Sequence, residues 1–66
     1  MNMKKYFLQF DYFNKDINKF YFGVVDVDLN ETLLIDLCRQ IVKDSHHDLN
    51  GLDVEIKVNA LNNVEL

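Results

Sequence analysis

The stretch KKYFLQFDYFNKDINKFYFGVVDV, from Lys4 to Val27, decides the fold. Its first ten residues alternate, with Tyr6, Leu8, Phe10 and Tyr12 on one side and Phe7, Gln9, Asp11 and Phe13 on the other, the period of two that marks a strand. Asn14 to Asn18 is polar and turn-rich, and Lys19 to Val27 is aromatic and then β-branched, a composition that suits a second strand. The segment predicts a β-hairpin. It holds every aromatic side chain of the molecule, three tyrosines and five phenylalanines, spread over both strand faces.

Which aromatics share a face depends on register, because a slip of one residue turns a strand over. With Asn14 to Asn18 as the whole loop, Tyr12 faces Phe20, Phe10 faces Phe22 and Leu8 faces Val24. With a two-residue Lys15-Asp16 turn, Phe10 faces Tyr21, and Phe7, Phe13, Phe20, Phe22 and Val24 gather on the second face. The first register makes the core face more apolar and is the one expected. Phe7, Phe13, Tyr21, Val25 and Val27 then form the expected interface with a partner or a second copy. In neither register is the second face free of large apolar groups.

A helix is expected next, starting at either Asp28 or Asn30. Asn30 is placed to cap it, with Leu29 and Leu34 as a hydrophobic staple; alternatively Asp28 caps and Glu31 completes a capping-box-like pair. Leu33, Leu34, Leu37, Cys38, Ile41 and Val42 form one apolar stripe, with Thr32, Asp36, Arg39, Gln40 and Lys43 opposite. The helix should end near Ser45 or His46, ahead of a turn at Asp48-Leu49-Asn50-Gly51. Leu52, Val54, Ile56, Val58 and Ala60 then alternate with Asp53, Glu55, Lys57 and Asn59, the pattern of a strand with one buried and one wet face. Leu61 to Leu66 is expected as a hairpin return or a frayed tail. The order β-β-α-β makes an α+β two-layer domain spanning 1–66, one helix on a three-stranded, mainly antiparallel sheet of order 2-1-3. One helix covers one side of three strands, so the far side of the hairpin needs other cover.

Sixty-six residues with a single cysteine leave stability to core packing or oligomerisation rather than to disulfides. No continuous apolar run spans a membrane or forms a signal-peptide core, and a cytoplasmic location is expected. The net charge of −4 argues against direct nucleic-acid binding. It is unevenly placed: four lysines against two aspartates give +2 up to Val25, and nine acids against three bases give −6 from Asp26 onward.

Asp26-x-Asp28-x-Asn30 opens like a calcium loop, but the sixth position is Glu31 and the twelfth Leu37, so helix capping explains it better. His46 and His47, between Asp44 and Asp48, sit about 100° apart on a helix and do not converge on one ion. Cys38 lies in the apolar stripe and reads as a small buried hydrophobe. No serine-centred motif or glycine-rich phosphate loop is present, and neither catalysis, a cofactor nor a metal is expected.

Small, acidic and without catalytic equipment, the chain resembles in general type the phage or mobile-element inhibitors, including anti-CRISPR and antirestriction proteins that imitate DNA. The resemblance covers no stretch of sequence and assigns no residue. It implies occlusion of a basic, nucleic-acid-binding surface on a larger protein. Asp26, Asp28, Glu31, Asp53 and Glu55 are the expected acidic contacts, with hairpin aromatics as anchors. The other expectation is a structural homo-oligomer, or a small subunit of a heterocomplex, joined through the aromatic hairpin.

Overall fold

In a computed structural model, which describes residues 3–46 and 54–64, the chain runs β1 (Lys4–Phe13), β2 (Asn18–Val27), α1 (Leu34–Ser45) and β3 (Glu55–Asn63). The sheet is antiparallel throughout, in the expected order β2-β1-β3. Helix α1 covers the face carrying the even-numbered residues of β1. Leu8, Phe10 and Tyr12 meet Cys38 and Val42 of the helix there, joined by Val54, in one buried core. Leu34, Leu37 and Ile41 pack partly against it, so the apolar stripe of the helix is the face it buries. Leu33 is the exception: it lies just ahead of the first turn and is 67% exposed.

The hairpin register differs from the one expected. Phe10 pairs with Tyr21, Tyr12 with Lys19, Leu8 with Gly23 and Phe7 with Val24, the register of the two-residue Lys15-Asp16 turn. The turn chemistry explains it. The Asn14 side-chain oxygen accepts the N–H groups of Asp16 (2.7 Å) and Ile17 (2.9 Å), while the Asn14 N–H donates to the Ile17 carbonyl (2.9 Å). Closing the loop early leaves Ile17 able to pack against the core. Gly23 contributes as well: a Cβ there would stand 2.6 Å from the Tyr21 hydroxyl oxygen, so Tyr21 lies over the bare backbone of its neighbour. Its ring also meets that of Phe10, centroid to centroid, at 5.4 Å.

The helix begins later than its capping residues suggest. Asp28 caps a turn instead: its carboxylate accepts the Asn30 N–H (2.9 Å) and its carbonyl accepts those of Glu31 (3.1 Å) and Thr32 (3.0 Å). Leu33 follows in extended conformation, with no side-chain cap on α1. The far end is anchored by the Tyr12 hydroxyl and His46 Nε2, 2.8 Å apart. Arg39 donates to the Val54 carbonyl (2.9 Å), tying the helix to the approach to β3.

The alternation expected for the last strand holds through Ile56 and Val58 and then breaks. Gln9 pairs with Ala60 but Phe10 with Val58, so Asn59 is an extra residue, a β-bulge. The phase beyond it is reversed: Leu61 comes opposite Leu8 and packs on the core, and Ala60 turns to the other face. Asn62 and Asn63 extend the strand rather than forming a return or a tail, and the Val64 N–H donates to the Lys5 carbonyl (3.0 Å). Leu52, Asp53 and the Asp48-Leu49-Asn50-Gly51 turn lie outside the described residues.

A candidate interaction surface on the uncovered sheet face

The face away from the helix carries Lys5, Phe7, Gln9, Asp11 and Phe13 from β1. Beside them on β2 stand Asp26, Val24, Phe22, Phe20 and Asn18, and on β3 Asn62, Ala60, Lys57 and Glu55. The two flanks are unlike. On β2, Phe20 is 61% exposed, Phe22 63% and Val24 59%, and the rings of Phe20 and Phe22 stack at 6.0 Å with an interplanar angle of 15°. Phe7 and Phe13 extend this stripe inward, both half-buried. On β3 the same face is polar, apart from the small Ala60.

Charges on this face stand opposite one another. Asp11 pairs across strands with Lys57, and Asp26 with Lys5. The surface is therefore an apolar band along one edge of the sheet, with two balanced charge pairs beside or beyond it and Glu55 across from Phe13.

Of the expected interface residues, Phe7 and Phe13 lie on this face. Tyr21, Val25 and Val27 do not: the register that formed turns them to the helix side, where Tyr21 and Val25 pack partly on the core and Val27 is buried. Phe20, Phe22 and Val24 take their place. The sequence signals for this placement are Asn14, whose side chain closes the turn, and Gly23, which leaves room for the Tyr21 ring.

The expected acidic contacts do not assemble. Asp28 is 7% exposed and its carboxylate holds the turn before the helix. Asp26 and Glu31 are exposed, Glu55 is exposed near the opposite end of the hairpin, and Asp53 is outside the described residues. Asp26 pairs with Lys5 and Glu55 with Phe13, eight residues along β1, a separation of about 26 Å. Among the described residues no group of three His, Cys, Asp or Glu side chains is placed to hold a metal ion. His47 and Asp48 lie outside them.

Cys38 is fully buried, and that burial pushes its thiol up to about 11, away from the range in which a thiolate forms near neutrality. Burial also raises Tyr12, which keeps its hydroxyl protonated opposite His46. No described helix is long and apolar enough to cross a membrane. No protein-family model, curated protein or solved structure matches the chain.

Proposed function

We propose that the protein is a non-enzymatic binding module whose contact surface is the apolar band Phe7, Phe13, Phe20, Phe22 and Val24. The observation that carries this reading is the exposure of three large apolar side chains in a row, on a strand whose other face is packed against the core. With about 60% of each side chain in water, leaving such a row exposed forgoes about 1–2 kcal/mol for each one that a partner would finish burying. A module of this kind takes one of two forms: an inhibitor seated on a basic groove, or a subunit that completes a shared apolar face. The dispersal of the acids favours the second. Asp26, beside the band, then serves as part of a polar rim.

Retention of host proteins on the immobilised chain, compared between variants, tests this. The Phe20→Ser/Phe22→Ser double variant should lose the proteins that wild type retains, and Asp26→Lys/Glu31→Lys should keep them. Retention by wild type should change little with salt, because an apolar contact is not screened. A retained protein that survives the serine changes and is lost with the lysine changes overturns the reading in favour of the acidic inhibitor.

A further inference from the structure

The partner for this band is, we infer, a second copy of the chain, paired edge to edge through β2 about a two-fold axis at Phe22 to make one six-stranded sheet. The inference rests on the reading of the band as a contact surface and names what its β2 edge meets, while the outward sides of the rings stay open on the joined sheet. The Val64 N–H donates to the Lys5 carbonyl, so odd-numbered residues of β1 turn their backbone groups to β3 and even-numbered ones to β2. The bond from the Asn14 N–H to the Ile17 carbonyl agrees. Lys19, Tyr21, Gly23 and Val25 are the β2 partners of those even residues and bond inward. Phe20, Phe22 and Val24, with Asn18 and Asp26 at the ends, therefore aim their N–H and C=O groups out from the edge. These are also the residues whose side chains form the exposed row.

The two edges of the sheet are treated differently. β3 carries a bulge at Asn59, and Glu55, Lys57, Asn59, Asn62 and Asn63 besides, the devices that blunt an edge against pairing. β2 has fewer of them over its ten residues: it pairs with β1 without a register shift, contains no proline, and carries its polar residues, Asn18, Lys19 and Asp26, only near its ends. An exposed, regular, apolar edge is a pairing template.

Self-pairing suits this strand in particular. In the antiparallel register centred on Phe22, Phe22 opposes Phe22 of the second copy and Phe20 opposes Val24 of the second copy, aromatic and aromatic–β-branched pairs of the kind that stabilise sheets. Asn18 opposes Asp26 of the second copy, so no like charges are directly opposite. The outward groups supply about ten backbone hydrogen bonds, the number of direct bonds in a typical specific interface.

Charge reversal at the axis tests the pairing. Phe22 is mostly exposed, so Phe22→Lys and Phe22→Asp should each keep the fold, checked by circular dichroism, with Phe22→Ser standing in for either that does not. Sedimentation velocity from micromolar to near-millimolar concentration should show wild type as a monomer–dimer equilibrium. Each charged variant alone should dissociate at least about tenfold more readily, since identical charges would face each other. Mixing the lysine and aspartate variants should restore the dimer. Charged variants that dimerise as wild type does, or a mixture that fails to recover, overturn the Phe22-centred pairing. A wild type that stays monomeric throughout overturns the second copy as partner; if it still retains a host protein through Phe20 and Phe22, the band remains a contact surface, and if it retains nothing, both readings fall.

Discussion

Truncating one phenylalanine at a time separates the two hairpin registers by free energy. Phe10 has no exposed surface, and Phe10→Ala should cost about 3–5 kcal/mol through lost transfer energy and an unfilled cavity. Phe22 is 63% exposed, so only about a third of its surface is at stake. With complete burial worth about 1.5–3 kcal/mol, Phe22→Ala should cost roughly 0.5–1 kcal/mol. Tyr21, packed on Phe10 with ring centroids at 5.4 Å, should fall between them. A chain of this length has about 3–10 kcal/mol in total, so Phe10→Ala approaches complete unfolding and Phe10→Leu gives the more readable melt. Phe22→Ala should lower the melting temperature by less than about 8 °C. Thermal and urea melts at the lowest workable concentration keep self-association out of the comparison. In the alternative register Phe22 would face Phe10 across the core and Tyr21 would stand in solvent. A loss from Phe22→Ala exceeding that from Tyr21→Ala would therefore refute the register and the contact surface built on it.

Other outcomes follow from the same geometry. Val25→Pro removes a backbone donor that bonds to β1 and should cost about 3 kcal/mol or more, whereas Val24→Pro removes one that points outward and should leave the monomer melt close to wild type. Gly23→Ala should cost about 1 kcal/mol by pushing Tyr21 aside, and the loss should shrink in a Tyr21→Ala background, which a double-mutant cycle of urea melts would detect. Cys38→Ala should be mild and Cys38→Asp should unfold the domain, and a bulky thiol reagent should label native protein far more slowly than unfolded protein. Because burial raises the Cys38 thiol to about 11, the unfolded chain loses that proton first as pH climbs. Stability contributed by the neutral thiol is complete below about pH 8.5 and declines toward pH 11 by on the order of 2 kcal/mol, a decline that alkaline melts of Cys38→Ala should show reduced.

The two-layer β-β-α-β architecture and the strand order were legible in the sequence because they rest on periodicity. The alternation of Lys4–Phe13, with only Phe7 and Phe13 against it, and the 34, 37, 38, 41, 42 spacing of the helix each favour one buried face, and three strands with one helix leave few right-handed ways to connect them. That one sheet face stays uncovered follows from the same count of elements. Which residues occupy that face was settled elsewhere. The apolar pattern favours the register with the more apolar core face, which is not the one that forms; the Asn14 side chain closing the turn and the Tyr21 ring lying over Gly23 decide it, and these are contacts among particular atoms. The acids show the same division. Asp28 has the composition of a surface charge and of a helix cap, and it is neither, because a turn of its own making competes for the backbone groups a helix start would use. The bulge at Asn59 interrupts a clean alternation to bring Leu61 onto Leu8, a long-range gain invisible to a local period. Local pattern determines which faces exist; turn chemistry and packing at a distance decide which side chains each face shows, since a shift of one residue costs little locally and exchanges every side chain at once.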